Sequence, residues 1–412
     1  MHTKSVGVGL LIVMLGFAAT LAAAAQDETA PYLGKWAITL QNAGGTFNAC
    51  WLNVVRKGDG GLDGQLLWRY GSVVPVKSVK VENGELQVVR PEYDDKTKKN
   101  VDCTYRMKVA NGKMDGSVKY PDGKDYVFTG VPAIEKVDVA GTWNLGVLER
   151  QSRKERRTLK LQQDGDKITG TVEGDGLSVP ISGAKLDGNN LSCRFEWGRA
   201  IHFTAQVAGD ELSGKWGVLP VSGERQRKAG PTIALFNGKD LTGWHSRDPK
   251  DVPPKWDVVH PGTELYISPR RTGANDIVSD QKFDDFKLLV KYCLPEKGGN
   301  SGVYVRGRYE VQILDDFGRG LDPHGCGAVY SRVSPIKNVT QAVGTTQTME
   351  ITLLGRWITV VHNGVTIVDN QHIEGITGGA LEAAEDGPGP IMLQAHGQAV
   401  RFLRADVTPL LK

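Results

Sequence analysis

Short runs of alternating apolar and polar residues, separated by turn signals, fill the chain from about residue 32 to its end. In the run 309–313 the odd positions are apolar (Tyr309, Val311, Ile313) and the even ones polar (Glu310, Gln312), the period of a strand that buries one face. The runs 287–292, 348–353, 357–362 and 400–407 are strand-like as well. Asn363-Gly364 lies between two apolar runs, 357–361 and 365–368. That is a type I′ hairpin signal, because both central residues of such a turn take positive φ. Asp-Gly, Asn-Gly and Gly-Asp pairs punctuate the earlier part of the chain in the same way, and no amphipathic helical period appears there.

The pattern repeats. Leu33-Gly34-Lys35-Trp36 recurs as Ala140-Gly141-Thr142-Trp143, Val74-Pro75-Val76 as Val179-Pro180-Ile181, and Asn83-Gly84-Glu85-Leu86 as Gly188-Asn189-Asn190-Leu191. The order is kept and the offset shrinks along the repeat, as small loop deletions would make it, so this reads as an internal duplication. About eight short strands per unit predict a small up-and-down barrel or sandwich. The Gly-x-Trp start resembles a lipocalin-like opening strand, with the Trp as core. The units are placed at 32–133 and 138–224. The polar stretch 224–231, ending in Gly-Pro, reads as a linker. The strands of 232–412, with no helical crossover, predict a two-sheet jelly-roll sandwich. The fold class expected is therefore all-β: two tandem small β-barrel or sandwich repeats followed by a concanavalin-like jelly-roll sandwich.

Composition changes this picture at three points. Residues 1–4 are basic, 6–21 apolar and 22–25 small, followed by Gln26-Asp27-Glu28. That is the layout of a secretory signal peptide over 1–25, with cleavage after Ala25 and an uncleaved anchor as the alternative. A secreted or periplasmic location and no membrane span in the mature chain are expected. The net charge of +3, with no long basic run, gives no reason to expect a nucleic-acid partner. The five cysteines (Cys50, Cys103, Cys193, Cys293, Cys326) leave at least one unpaired. Cys50–Cys103 and Cys293–Cys326 are candidate bridges that sequence does not settle, and no metal-ligand spacing is present. Glycine, at 51 of 412 residues against an average of about 7%, fits turn punctuation.

The third module resembles the 3-keto-disaccharide hydrolase domain family, a bacterial group with a concanavalin-like jelly roll related to glycoside hydrolases. The residues that carry the resemblance are Leu235-Phe236-Asn237-Gly238-Lys239-Asp240-Leu241-Thr242-Gly243-Trp244, Phe283-Asp284-Asp285-Phe286, Asn300-Ser301-Gly302-Val303-Tyr304-Val305-Arg306-Gly307, Tyr309-Glu310-Val311-Gln312-Ile313-Leu314-Asp315, Leu393-Gln394-Ala395-His396-Gly397 and Val400-Arg401-Phe402. This chain has Thr346-Gln347 where the family commonly has Trp-Asn.

Strand alternation puts Glu310 and Gln312 on one polar face. Asp315 would turn toward the core unless a β-bulge after Gln312 returns it to the Glu310 side. The Glu-x-Gln-x-x-Asp spacing is similar to the Glu-x-Asp-x-x-Glu strand of jelly-roll endoglycanases, but with a shorter last acid and an amide in the middle. The resemblance implies another route. A ketone at C3 acidifies the C2 proton of a glycoside, a base removes it, the C1 leaving group departs by elimination, and water adds back. Glu310, His396 and Asp315 are the candidate catalytic residues, Glu310 or His396 as base or acid and Asp315 orienting His396 or binding a metal. Arg306 is a candidate for enolate stabilisation, Gln312 and Gln394 for sugar hydroxyls, and Tyr330 and Asn300 for further substrate contacts. An Arg306-Gly307-Arg308 turn would redirect Arg306.

The plainer readings are an ion pair of Glu310 with Arg306 or Arg308, His396 as a loop residue, His324 in a mobile loop, and Trp244 and Trp256 as core. A divalent cation such as calcium, with Asp315, Asp316 and Asp322 as ligands, is left open, and no nucleotide cofactor is expected. Two functions follow. One is an exported enzyme cleaving 3-keto-glycosides, with a carbohydrate substrate. The other is a non-catalytic, lectin-like carbohydrate-binding protein.

Overall fold

The structure, a computed structural model, describes residues 27–41, 47–148, 154–259, 266–270 and 272–412. The expected signal peptide over 1–25 lies outside the described residues. No helix among them is long and apolar enough to cross a membrane.

The first two units are nine-stranded antiparallel meanders of the same order, one strand more than the pattern predicts. In the first, Gly34–Gln41 pairs with both the next strand, Phe47–Arg56, and the last, Asp125–Pro132. In the second, Gly141–Leu148 pairs with Lys154–Asp164 and with Leu219–Arg225. A first strand bonded on both sides wraps each sheet into a barrel around its own core. The duplication extends to single hydrogen bonds. Trp36 Nε1 donates to the Tyr32 carbonyl, and Trp143 Nε1 to the Val139 carbonyl, both at 3.0 Å. Each indole is buried, and a buried indole N–H needs such an acceptor. All five cysteines are buried and none is in a disulfide, so neither candidate bridge forms.

The third unit is a sandwich of a nine-stranded and a five-stranded antiparallel sheet, the nine including two short strands, Lys228–Ala229 and Ile233–Ala234, that pair with the last strand. Val303, Val305, Tyr309, Val311, Ile313 and Leu393 of the smaller sheet meet Leu288, Val290, Ile351, Leu353 and Val360 of the larger in one core. Trp244 and Trp256 are buried there, as expected. Asn363 and Gly364 both have positive φ, 50° and 78°, so the hairpin turn forms as its sequence predicts.

The polar stretch 224–231 is not a free linker. Lys228–Ala229 pairs with the last strand, Arg401–Leu411. The Arg227 guanidinium is bidentate on Asp210 of the second barrel and reaches Asp285 of the sandwich at 2.9 Å, while Arg225 stacks over Trp143, 4.4 Å from the ring centroid. Two arginines of this polar stretch are thus held between modules, while Glu224, Gln226 and Lys228 stay exposed.

The first barrel also docks on the sandwich. Ala37, Ala49, Trp51 and Leu67 belong to the sandwich's hydrophobic cluster. The Arg332 guanidinium lies over the Trp51 ring, 4.3 Å from its centroid.

Candidate active site

The smaller sheet of the sandwich has two unlike faces. Strand period two sends Ser301, Val303, Val305, Tyr309, Val311 and Ile313 inward. It leaves Gly302, Tyr304, Glu310 and Gln312 on the outer face, where Tyr304 is the register partner of Glu310 and Gly302 of Gln312. Gln394 follows the Gly389–Leu393 strand and donates its backbone N–H to the Gly302 carbonyl. A Cβ on Gly302 would lie 2.3 Å from Glu310 Oε1, so the glycine gives the Glu310 side chain room to lie across the neighbouring strand.

This outer face is polar but not open to solvent. The segment 325–333 runs along the edge of Tyr309–Leu314, and the Tyr330 N–H donates to the Glu310 carbonyl. Thr377 Oγ1 accepts the Glu310 N–H at 2.9 Å. What remains is a cavity of about 320 Å³, within the range of small-ligand sites. Glu310, Gln312, Gln394, Asn300, Tyr330 and His396 all line it, joined by Tyr304, Gly378, Tyr70 and Gly71.

Glu310 is nearly fully buried. Tyr304 donates to its Oε2 at 2.9 Å and Gln394 Nε2 to its Oε1 at 2.9 Å. Loss of hydration pushes its carboxyl up to about 8. The Tyr304 and Gln394 hydrogen bonds pull against that rise, and the Asp276 carboxylate adds to it. The Tyr304 hydroxyl has one proton but two acceptors, because the Gly378 carbonyl is 2.7 Å away. A protonated Glu310 resolves this: the acid donates to the Tyr304 oxygen, and Tyr304 donates to Gly378. Burial, which outweighs the hydrogen bonds to the ionised form, and the single Tyr304 proton shared between two acceptors both favour a neutral carboxylic acid at neutral pH.

Three buried amide oxygens around it, Asn300 Oδ1, Gln312 Oε1 and Gln394 Oε1, have no protein hydrogen-bond partner. Buried acceptors are normally satisfied. Three clustered at one cavity fit a ligand rich in hydroxyl donors. His396 stands exposed at the wall, its Nδ1 3.0 Å from Gln398 Oε1.

Two of the candidates lie elsewhere. Arg306 sits in the turn between strands, with φ 52°. Its guanidinium is buried against Asp285 Oδ1 (2.9 Å), Asp284 and the Gly355 carbonyl, so the turn redirects it away from the cavity. Asp315 does not return to the Glu310 side, because the register from Asn300↔Leu314 to Val305↔Tyr309 is unbroken. No bulge forms after Gln312. Asp315 leaves the sheet and accepts the Gly298 N–H at 2.9 Å, which removes it from orienting His396.

Glu310 pairs with neither Arg306 nor Arg308; Arg308 bonds Glu382 and two carbonyls. His324 is held between Ser72, Asp322 and the Tyr330 ring, so its loop is anchored. Asp315, Asp316 and Asp322 are each engaged separately, Asp316 by the Cys326 N–H. Among the described residues no group of three or more His, Cys, Asp or Glu is placed to hold a metal. Gln347 is buried in the larger sheet, where its Oε1 accepts from the Gln341 N–H and the Asn363 amide, and does not line the cavity.

Tyr304 shares the period-two face of Gly302 and was legible from it. Tyr70, Gly71 and Gly378 come from distant parts of the chain and carry no local signal.

The family model of the 3-keto-alpha-glucoside-1,2-lyase-like domain matches residues 231–407. The third unit therefore carries a domain of a carbohydrate-acting family. Among solved structures, the chain is similar to a proposed glycosyl hydrolase from Parabacteroides distasonis, at 27% identity over 45% of this chain and 91% of that one, with a TM-score of 0.38. A second protein so described from the same organism is 22% identical over 43% and 93%, with a TM-score of 0.35. The Bacteroides ovatus xyloglucan-locus protein GH43B is 12% identical over 90% and 97%, with a TM-score of 0.28. No curated protein matches.

Proposed function

We propose that the protein is an exported enzyme that cleaves 3-keto-glycosides by elimination and hydration at the Glu310 cavity. The observation that carries this is a buried carboxylic acid, held neutral near pH 7, beside three unpartnered amide oxygens. An acid whose pKa lies near the working pH is suited to proton transfer.

His396 takes the C2 proton, made acidic by the C3 ketone. The electron pair moves into an enolate, and collapse of the enolate expels the C1 substituent. Glu310 gives its proton to the departing oxygen. The amides of Asn300, Gln312 and Gln394 hold the sugar hydroxyls and the C3 oxygen. In the second half, water adds to C1, its proton returns to Glu310, and C2 is reprotonated from His396. Arg306 and Asp315 take no part.

The test is to incubate the protein with 3-keto-trehalose or a 3-keto-glucoside and follow release of 3-ketoglucose or the aglycone. Release by wild type and its loss in Glu310→Gln and His396→Ala is expected. Binding of the sugar without release would favour the lectin-like reading.

A further inference from the structure

The Glu310 cavity is not closed by the sandwich alone. Tyr70 and Gly71 of the first barrel form part of its wall, although the family match begins only at residue 231. Their placement is fixed by backbone contacts across the two modules. The Gly379 N–H donates to the Arg69 carbonyl at 2.8 Å, and the Val73 N–H donates to Ser331 Oγ at 3.2 Å. Ser72 Oγ is 2.8 Å from His324 Nε2. Gly71 takes φ 78°, and Gly378 passes so close that a Cβ there would lie 2.2 Å from the Gly71 carbonyl oxygen.

The Tyr70 ring is held in place but not covered. Its main chain is pinned on either side by these bonds, and the Arg247 guanidinium lies 5.9 Å from the ring centroid. Yet the residue is 59% exposed. Packing does not account for an aromatic ring presented this way at a cavity mouth, whereas a ligand face would.

The floor and the mouth of the cavity differ in chemistry. The floor holds the acid and the unpartnered amides. The whole cavity, its Tyr70 wall included, has a volume of about 320 Å³, near the lower end for ligand sites. With one sugar ring on the amides and the acid, the ring joined to it points toward the mouth, where Tyr70 stands.

We infer that Tyr70 of the first barrel is a specificity-determining residue that stacks on the leaving-group ring of the substrate, so that two-ring glycosides are preferred over simple alkyl glycosides. This rests on the reading of the Glu310 cavity as a glycoside-cleaving site. It gives the first barrel a role in substrate choice that the matched domain lacks on its own.

The test compares 3-keto-trehalose with methyl 3-keto-glucoside for wild type, Tyr70→Ala and Tyr70→Phe, with kcat and KM measured separately. The exposed position makes both variants compatible with folding. Tyr70→Ala is expected to lower kcat/KM for the two-ring substrate about tenfold more than for the methyl glycoside, mostly through KM, while Tyr70→Phe retains the preference. Equal losses on both substrates, or no loss on the two-ring one, overturn the inference. Should wild type turn over neither sugar, the cleavage reading fails. Calorimetric binding of the same two sugars to wild type and Tyr70→Ala then decides the stacking role separately: a ring-dependent difference supports it, and identical binding overturns it.

Discussion

Tyr304 and Glu310 face each other across two neighbouring strands, the phenol oxygen 2.9 Å from the carboxyl Oε2. The pairing sets the proton inventory of the site. The same phenol lies 2.7 Å from the Gly378 carbonyl, so the one arrangement that satisfies all three groups keeps a proton on Glu310.

With Glu310 as the acid, kcat/KM falls as pH rises through about 8, where the carboxyl loses its proton. A pH–rate profile on a 3-keto-glucoside checks this. A rate that keeps climbing through that region would make Glu310 a base instead. Glu310→Gln keeps the shape and removes the proton, and should lower kcat by about 10²–10⁴-fold.

The same group makes stability depend on pH. Its folded value, about 8, lies above the unfolded value near 4.5. Between these values the folded state holds a proton that the unfolded chain releases, so stability is lost as pH rises through the window. Thermal melts of wild type should fall relative to Glu310→Gln from about pH 4.5 to about pH 8. Parallel curves would contradict a buried neutral acid.

Arg306 and Asp315 separate structure from chemistry. Arg306→Ala removes one of the two guanidinium partners of the buried Asp285 carboxylate, leaving Arg227, and should cost about 1–3 kcal/mol in a denaturant titration. Asp315→Ala removes one partly exposed hydrogen bond, costs about 1 kcal/mol, and should leave kcat/KM near wild type.

The barrel–sandwich contact is tested at Gly378. A methyl there meets the Gly71 backbone at 2.2 Å and 2.5 Å, and backbone yields at higher cost than a side chain. Gly378→Ala should expose the junction to limited proteolysis and lower the melting temperature.

The alternation over 309–313 places Glu310 and Gln312 on one face, because side-chain direction in a strand depends only on parity. The closing motif likewise brings Gln394 and His396 to the same cavity. Parity fails at Arg306 and Asp315, which stand just past strand ends, where turn geometry sets direction. It also says nothing of what covers a face. Tyr70 and Gly71 reach the cavity through docking of a whole barrel, and Arg225 and Arg227 find their partners only once the modules meet. Pairings so far apart in sequence leave no periodic trace.

The measurement closest to the proposed chemistry is cleavage of a 3-keto-glucoside in D₂O with the product read by NMR. Elimination and hydration give 3-ketoglucose carrying deuterium at C2 from the first turnover of wild type. Product released with C2 protium retained would mean direct displacement at C1, and would contradict proton abstraction at this site.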